Sequence, residues 1–62
     1  MKYYCVVGRF YDNGKVKSFM EEKEGETIPK DEYRETNVYD EYRDYFKSRS
    51  QAQQWLNDYI YA

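Results

Sequence analysis

Histidine is absent from this chain of 62 residues, and cysteine occurs once, at position 5. Zinc fingers and zinc ribbons need several Cys or His ligands, and thiol–imidazole catalysis needs one of each, so both classes are excluded. A small disulfide-stapled domain would carry an even set of cysteines. Cys5 lies in an apolar stretch and is therefore expected to be a packed side chain. We expect no metal, no cofactor and no catalytic residue in this protein.

Aliphatic residues and long apolar runs are also scarce. Leu, Ile and Val total seven residues, and no apolar run approaches the roughly 20 residues that cross a bilayer. The apolar stretch near the N-terminus is too short and too rich in tyrosine to be typical of a signal peptide. These features predict a cytoplasmic protein with no membrane segment.

Aromatic residues are abundant instead. Nine Tyr, three Phe and one Trp make up 21% of the chain, and charged residues make up 35%. Because disordered chains are usually poor in aromatics, this composition favours a folded protein. The length predicts one small domain, residues 1–62, with a core built largely from rings.

The charges are unevenly distributed around a net charge of −2. Residues 1–20 carry +3, residues 21–44 carry −6 and residues 45–62 carry +1. An acidic block repels the nucleic-acid backbone and attracts basic protein surfaces. The acidic block includes Asp40, Glu41 and Asp44, which lie close together in the sequence. Acid–base catalysis needs two carboxylates that face a cleft, and no sequence that would form a cleft accompanies these residues. We therefore interpret them as a solvated acidic surface.

Residues 2–23 are predicted to form a β-hairpin. The segment 2–11 is rich in aromatic and β-branched residues, which favour strands, and Asn13-Gly14 is a strong hairpin-turn signal. A two-residue turn at these positions would pair Gly8 with Phe19, whose ring would cover the bare glycine backbone. Apolar residues then fall on both faces, whereas a sheet with one solvated face should alternate cleanly.

The middle of the chain is harder to assign. Residues 24–36 are predicted to be an acidic connecting loop, with a short helical turn at 30–33 as one option. Residues 37–46 fit a strand by alternation and a helix by the spacing of Val38, Tyr42, Tyr45 and Phe46. The tyrosine content and the helix-start signal that follows favour a third strand.

Residues 49–60 are predicted to form a helix. Ser48 and Gln51 fit a capping box. The helical spacing then gives one apolar stripe, with Trp55 as its expected central anchor: Ala52, Trp55, Leu56, Tyr59 and Ile60. The predicted fold class is α+β, a three-stranded antiparallel sheet (the hairpin plus a third strand) with one C-terminal amphipathic helix packed on one face.

The surplus of rings predicts an interface. A helix covers only one face of the sheet, and exposed aromatic patches usually mark binding surfaces. We expect a non-catalytic interaction module that binds a basic surface of another protein, acting as an inhibitor or regulator of the type encoded by phages or mobile elements. Glu41 and Asp44 are expected to be exposed charges that steer the encounter without affecting the fold. The residues predicted to contact the partner are Tyr3, Tyr11, Tyr33, Tyr39, Glu41, Arg43, Asp44 and Tyr45.

Two alternative functions remain open. A homodimer or higher oligomer would use the second sheet face or an edge strand on itself. A nucleotide or single-stranded nucleic-acid binder would stack bases on sheet aromatics beside Arg and Lys. The negative net charge and the missing aromatic-basic RNA-binding motif make nucleic acid the less favoured ligand.

Overall fold

The computed structural model describes residues 1–60, except for the side chain of Ile60. It has an α+β fold with one antiparallel sheet and one C-terminal helix, which confirms the predicted class. The strands are β1 (Lys2–Tyr11), β2 (Val16–Glu24), β3 (Glu32–Glu35) and β4 (Tyr39–Phe46), and helix α1 spans Arg49–Ile60.

The sheet has four strands in the order β2-β1-β4-β3, so the prediction of three strands is wrong. The additional strand, β3, lies within the predicted 24–36 loop and also replaces the optional helical turn at 30–33. All four of its residues are exposed, so the segment lacks the apolar alternation by which strands are recognised in a sequence.

The segment 37–46 is a strand rather than a helix, and it begins two residues later than predicted. A turn at Thr36 joins it to β3. The Thr36 hydroxyl accepts hydrogen bonds from the amides of Val38 (3.2 Å) and Tyr39 (3.0 Å) and donates one to the Tyr39 carbonyl (2.9 Å). This side-chain turn ends one strand and starts the next.

The β1–β2 hairpin has a three-residue loop instead of the predicted two-residue turn. The amide of Tyr11 donates to the Lys15 carbonyl (2.8 Å), the amide of Gly14 donates to the Tyr11 carbonyl (3.0 Å), and Gly14 has a φ of 87°. This pattern is a turn followed by a glycine bulge. Gly8 therefore pairs with Ser18 rather than with Phe19. Because side chains alternate, the shift of one residue moves every β2 side chain to the opposite face.

The register defines two faces of the sheet, named here the helix face and the open face. The helix face carries Lys2, Tyr4, Val6, Gly8, Phe10, Val16, Ser18, Met20, Glu22, Glu24, Tyr33, Glu35, Asp40, Tyr42, Asp44 and Phe46. The open face carries Tyr3, Cys5, Val7, Arg9, Tyr11, Lys17, Phe19, Glu21, Lys23, Glu32, Arg34, Tyr39, Glu41, Arg43 and Tyr45.

Helix α1 packs over β1 and β2 and reaches only part of β4. Its amide at Gln51 lies 3.5 Å from the Ser48 hydroxyl oxygen, as expected for an N-cap. Ala52 is fully buried, and the Tyr59 ring lies directly over the bare backbone of Gly8. Trp55 is 43% exposed, so the expectation that it anchors the centre of the helix is wrong. The predicted contribution of the Ile60 side chain lies outside the described residues.

The core is small and centred on β1. Its buried apolar residues are Tyr3, Cys5, Val6, Val7 and Ala52. Cys5 is a free thiol whose pKa is raised by burial, which fits a packing role. None of the described helical residues forms a segment long and apolar enough to cross a membrane.

Candidate functional site: an aromatic groove beside the helix

Glu41, one of the predicted contact residues, is the centre of an ion network on the open face. Its side chain is only 3% exposed. Arg9 Nε donates to its Oε1 at 2.7 Å, and Arg43 Nε donates to its Oε2 at 3.1 Å. Burial by itself would raise the pKa of Glu41, but the bonds from the two arginines outweigh it, and the pKa is lowered.

This network corrects the expectation that Glu41 is an exposed steering charge. Its two oxygens accept hydrogen bonds from Arg9 of the neighbouring strand β1 and from Arg43 of its own strand, so its charge is neutralised inside the protein. Charge reversal there would leave three cationic side chains together and would disturb the fold.

Arg9 is itself held between rings. Its guanidinium carbon lies 5.4 Å from the centroid of the Phe19 ring and 5.1 Å from that of Tyr39, within cation–π distance. The side chain thus connects β1 to both of its neighbouring strands. On the open face, therefore, Arg9 and Glu41 bind each other within the protein.

Six of the eight predicted contact residues share the open face, and the other two lie on the helix face. Those on the open face are Tyr3, Tyr11, Tyr39, Glu41, Arg43 and Tyr45. Tyr3 and Glu41 are buried. Tyr3 contacts Tyr45 at 5.9 Å between centroids, and Tyr11 contacts Tyr39 at 5.2 Å. Tyr33 and Asp44 are on the helix face, where a second group of residues converges.

That second group lines a groove of about 390 Å³ between helix α1 and strand β4. Its walls are formed by Phe10, Asp40, Tyr42, Asp44, Trp55 and Tyr59. The groove exists because the helix lies over β1 and β2 and leaves β4 only partly covered. Its volume falls within the range of about 300–1,000 Å³ that is typical of ligand pockets.

The rings of the groove form a continuous series of contacts. Phe10 lies 5.7 Å from both Tyr42 and Tyr59, and Trp55 lies 6.4 Å from Tyr59. Tyr33 extends the series beyond Tyr42, at 4.9 Å. Tyr33 is 55% exposed and Tyr42 40% exposed, so these rings present their surfaces to solvent.

Asp44 joins the helix to the groove. Trp55 Nε1 donates to its Oδ2 at 2.8 Å, and the Tyr59 hydroxyl donates to the same oxygen at 3.1 Å. Burial, with a smaller contribution from Asp44, raises the pKa of Tyr59, so the phenol stays protonated and able to donate. Trp55 and Tyr59 thus both donate to Oδ2 of Asp44, whereas its Oδ1 has no donor among the described residues.

The two faces differ in charge. The strands place five basic and three acidic residues on the open face, a net charge of +2. They place one basic and five acidic residues on the helix face, a net charge of −4. The ion pairs between described residues involve Lys2, Arg9 and Arg43, and none includes Asp40 or Asp44. Among residues 1–60, therefore, the two carboxylates of the groove have no counter-ion.

Sequence reasoning identified Asp44 but missed the groove. Asp40, Tyr42, Trp55 and Tyr59 come from two elements whose relation depends on the pairing of β1 with β4. One local signal was present, since Trp55 and Tyr59 are four residues apart and lie on one side of a helix.

Within residues 1–60, no group of three or more Cys, Asp or Glu side chains is placed to hold a metal ion. Comparison with known protein families, characterised proteins and solved structures finds no match to this chain.

Proposed function

We propose that this protein is a small non-catalytic protein-binding module. It uses the helix face to cover a basic surface on a partner protein and thereby inhibits or regulates that partner. The observation that carries the proposal is the aromatic groove, which combines exposed rings with two carboxylates that form no ion pair among the described residues. None of the described residues that line it is basic.

The chemistry of the groove fits a protein interface. Tyr and Trp are enriched at binding hot spots because they offer large contact areas and lose little conformational freedom. A face with a net charge of −4 steers basic partners toward it and repels nucleic acid. The steering charges are thus those of the helix face, Asp44 among them, and Glu41 is not one of them.

Affinity capture with matched variants tests this proposal. The immobilised protein is compared with the double variant Asp40→Asn and Asp44→Asn, and with the control Asp12→Asn and Glu26→Gln. The control removes two exposed charges outside both faces. We expect a basic protein that is retained by the original chain and by the control, and lost by the groove variant. Equal retention by all three, or no specific protein at all, would contradict the proposal.

A second candidate function is single-stranded nucleic-acid binding by the open face. Its net charge of +2 and the contact of Lys17 with the Tyr11 ring at 5.7 Å favour it. Arg9 and Arg43 form ion pairs with Glu41 and are therefore not available to bind phosphate groups, which weakens the case for this second function. Fluorescence anisotropy of a labelled oligothymidine of about 15 nucleotides separates the two candidates. Binding at low salt that Lys17→Gln abolishes would favour this second function.

A further inference from the structure

We infer that the groove between α1 and β4 receives an arginine side chain of the partner. This inference rests on the proposed function and specifies what the groove recognises. Three features of the chain support it: the rings of the groove, the carboxylates of the groove and an arginine site on the open face.

The rings of the groove are suited to binding a cation. Tyr42, Trp55 and Tyr59 border one groove, and the faces of Trp and Tyr attract cations that lie within about 6 Å of the ring centroid. A guanidinium is planar and weakly hydrated, so it stacks on such rings and leaves water more readily than an ammonium does.

The carboxylates of the groove can accept hydrogen bonds from a guanidinium. Asp40 and Asp44 are four residues apart on one face of β4, with Tyr42 between them, and Oδ1 of Asp44 has no donor among the described residues. A guanidinium can donate two parallel hydrogen bonds to a carboxylate, which a quaternary ammonium cannot do. The groove is therefore suited to a cation that carries N–H groups.

The open face shows the same chemistry already assembled. Arg9 lies between the Phe19 and Tyr39 rings and donates to the Glu41 carboxylate. The groove on the helix face has the corresponding rings and carboxylates, and none of the described residues that line it is an arginine. An arginine from another protein would complete an arrangement that this chain builds internally.

Trp55 makes the inference directly testable because it is the one tryptophan of the sequence. Its fluorescence and its indole N–H resonance therefore report on the groove alone. The probes are five-residue glycine peptides with a central arginine, lysine, trimethyl-lysine or citrulline. Citrulline has nearly the shape of arginine without its charge.

We expect saturable binding of the arginine peptide with a dissociation constant on the order of 1 mM, since one side chain buries few atoms. Lysine should bind more weakly, and citrulline and trimethyl-lysine about tenfold more weakly or worse. Asp40→Asn should weaken arginine binding severalfold, whereas the control Asp12→Asn and Glu26→Gln should not. Tyr42→Leu provides a second variant that leaves the charges in place.

Equal binding of arginine and citrulline, tighter binding of trimethyl-lysine, or no loss in Asp40→Asn would each overturn the inference. Failure of the proposed function looks different. If the arginine peptide fails while protein capture still depends on Asp40 and Asp44, the module binds a partner by other contacts. If the peptide binds but no protein is captured, the arginine site stands and the proposed function fails.

Discussion

Glu41 is nearly inaccessible although helix α1 packs on the opposite face of the sheet. Arg9 and Arg43 approach it from β1 and from its own strand, and their side chains exclude water from both of its oxygens. In the sequence, Glu41 is one acidic residue within an acidic block. Its contact with Arg9 could not be predicted, because the two residues are 32 positions apart and meet only through the pairing of β1 with β4. A charged residue at a surface strand thus becomes part of the structural framework.

Replacing Glu41 should therefore be costly to the fold. Glu41→Gln keeps the size of the side chain but replaces the carboxylate, whose two oxygens accept hydrogen bonds from two arginines, by a neutral amide. We expect a loss of about 1.5–3 kcal/mol in the free energy of unfolding, measured by urea denaturation. Glu32→Gln, at an exposed position of the same face, should change it by less than about 0.5 kcal/mol. Equal losses would contradict the ion network.

The lowered pKa of Glu41 also predicts an acid-dependent loss of stability. The carboxyl binds protons more weakly in the folded state than in the unfolded state, whose ordinary value is 4.5. Its contribution is therefore fully present above that value and is lost as the pH falls through the lower folded-state pKa. Urea unfolding between neutral and strongly acidic pH should show this loss, and Glu41→Gln should remove that part of the pH dependence.

At the scale of elements, the contact between helix α1 and strand β1 depends on Gly8. A Cβ atom at Gly8 would lie 2.8 Å from two carbons of the Tyr59 ring, closer than real Cβ contacts allow. The same ring donates a hydrogen bond to Asp44, so its position also shapes the groove. Helix packing and groove geometry are thus coupled through one glycine.

A double-mutant cycle tests this contact. Gly8→Ala should destabilise the protein by about 1–3 kcal/mol through overpacking, as measured by chemical denaturation. In the background of Tyr59→Ala the ring is absent, so most of that cost should disappear. A cost for Gly8→Ala that does not change with the background would show that the ring does not lie over the glycine.

The hairpin shows where sequence reasoning succeeds and where it stops. Asn13-Gly14 located the turn, and the aromatic and β-branched residues identified the first strand. The same dipeptide fits loops of two or three residues, and only the loop length sets which β2 side chains face the helix. Strand β3 was not predicted because it has no apolar pattern of its own. Its pairing with β4 holds it in the sheet.

The loop makes its own prediction. Gly14 has a φ of 87°, a left-handed conformation that costs other residues about 1–2 kcal/mol. Gly14→Ala should destabilise the hairpin by about that amount, and Gly14→Asn by less, because Asn tolerates this conformation better. Thermal or urea unfolding measures both variants. Equal stability of the alanine variant and the original chain would contradict the bulged loop.

The whole molecule is a thin slab with principal extents of 37 × 23 × 13 Å. Its radius of gyration is 12.0 Å, larger than the value of about 10.6 Å for a compact domain of this length. One helix on one side of a four-stranded sheet gives this shape and leaves the core small. The faces also carry net charges of opposite sign, so the slab offers two chemically different surfaces.

A homo-oligomer and a module for another protein differ in their response to protein concentration. If the isolated chain is a monomer, as our proposal expects, the urea midpoint stays constant as protein concentration rises. Unfolding should then cost about 3–5 kcal/mol, as in other domains of this size. A midpoint that increases with protein concentration would indicate association between copies and favour the oligomeric alternative.

The central claim is that the partner meets the helix face. Photo-cross-linking tests it most directly, with a benzophenone-bearing phenylalanine placed either at Tyr33, beside the groove, or at Phe19 on the open face, which is 37% exposed. The partner retained in affinity capture should cross-link from position 33 and not from position 19. A cross-link from position 19 alone would show that the open face is the interface and would contradict this account.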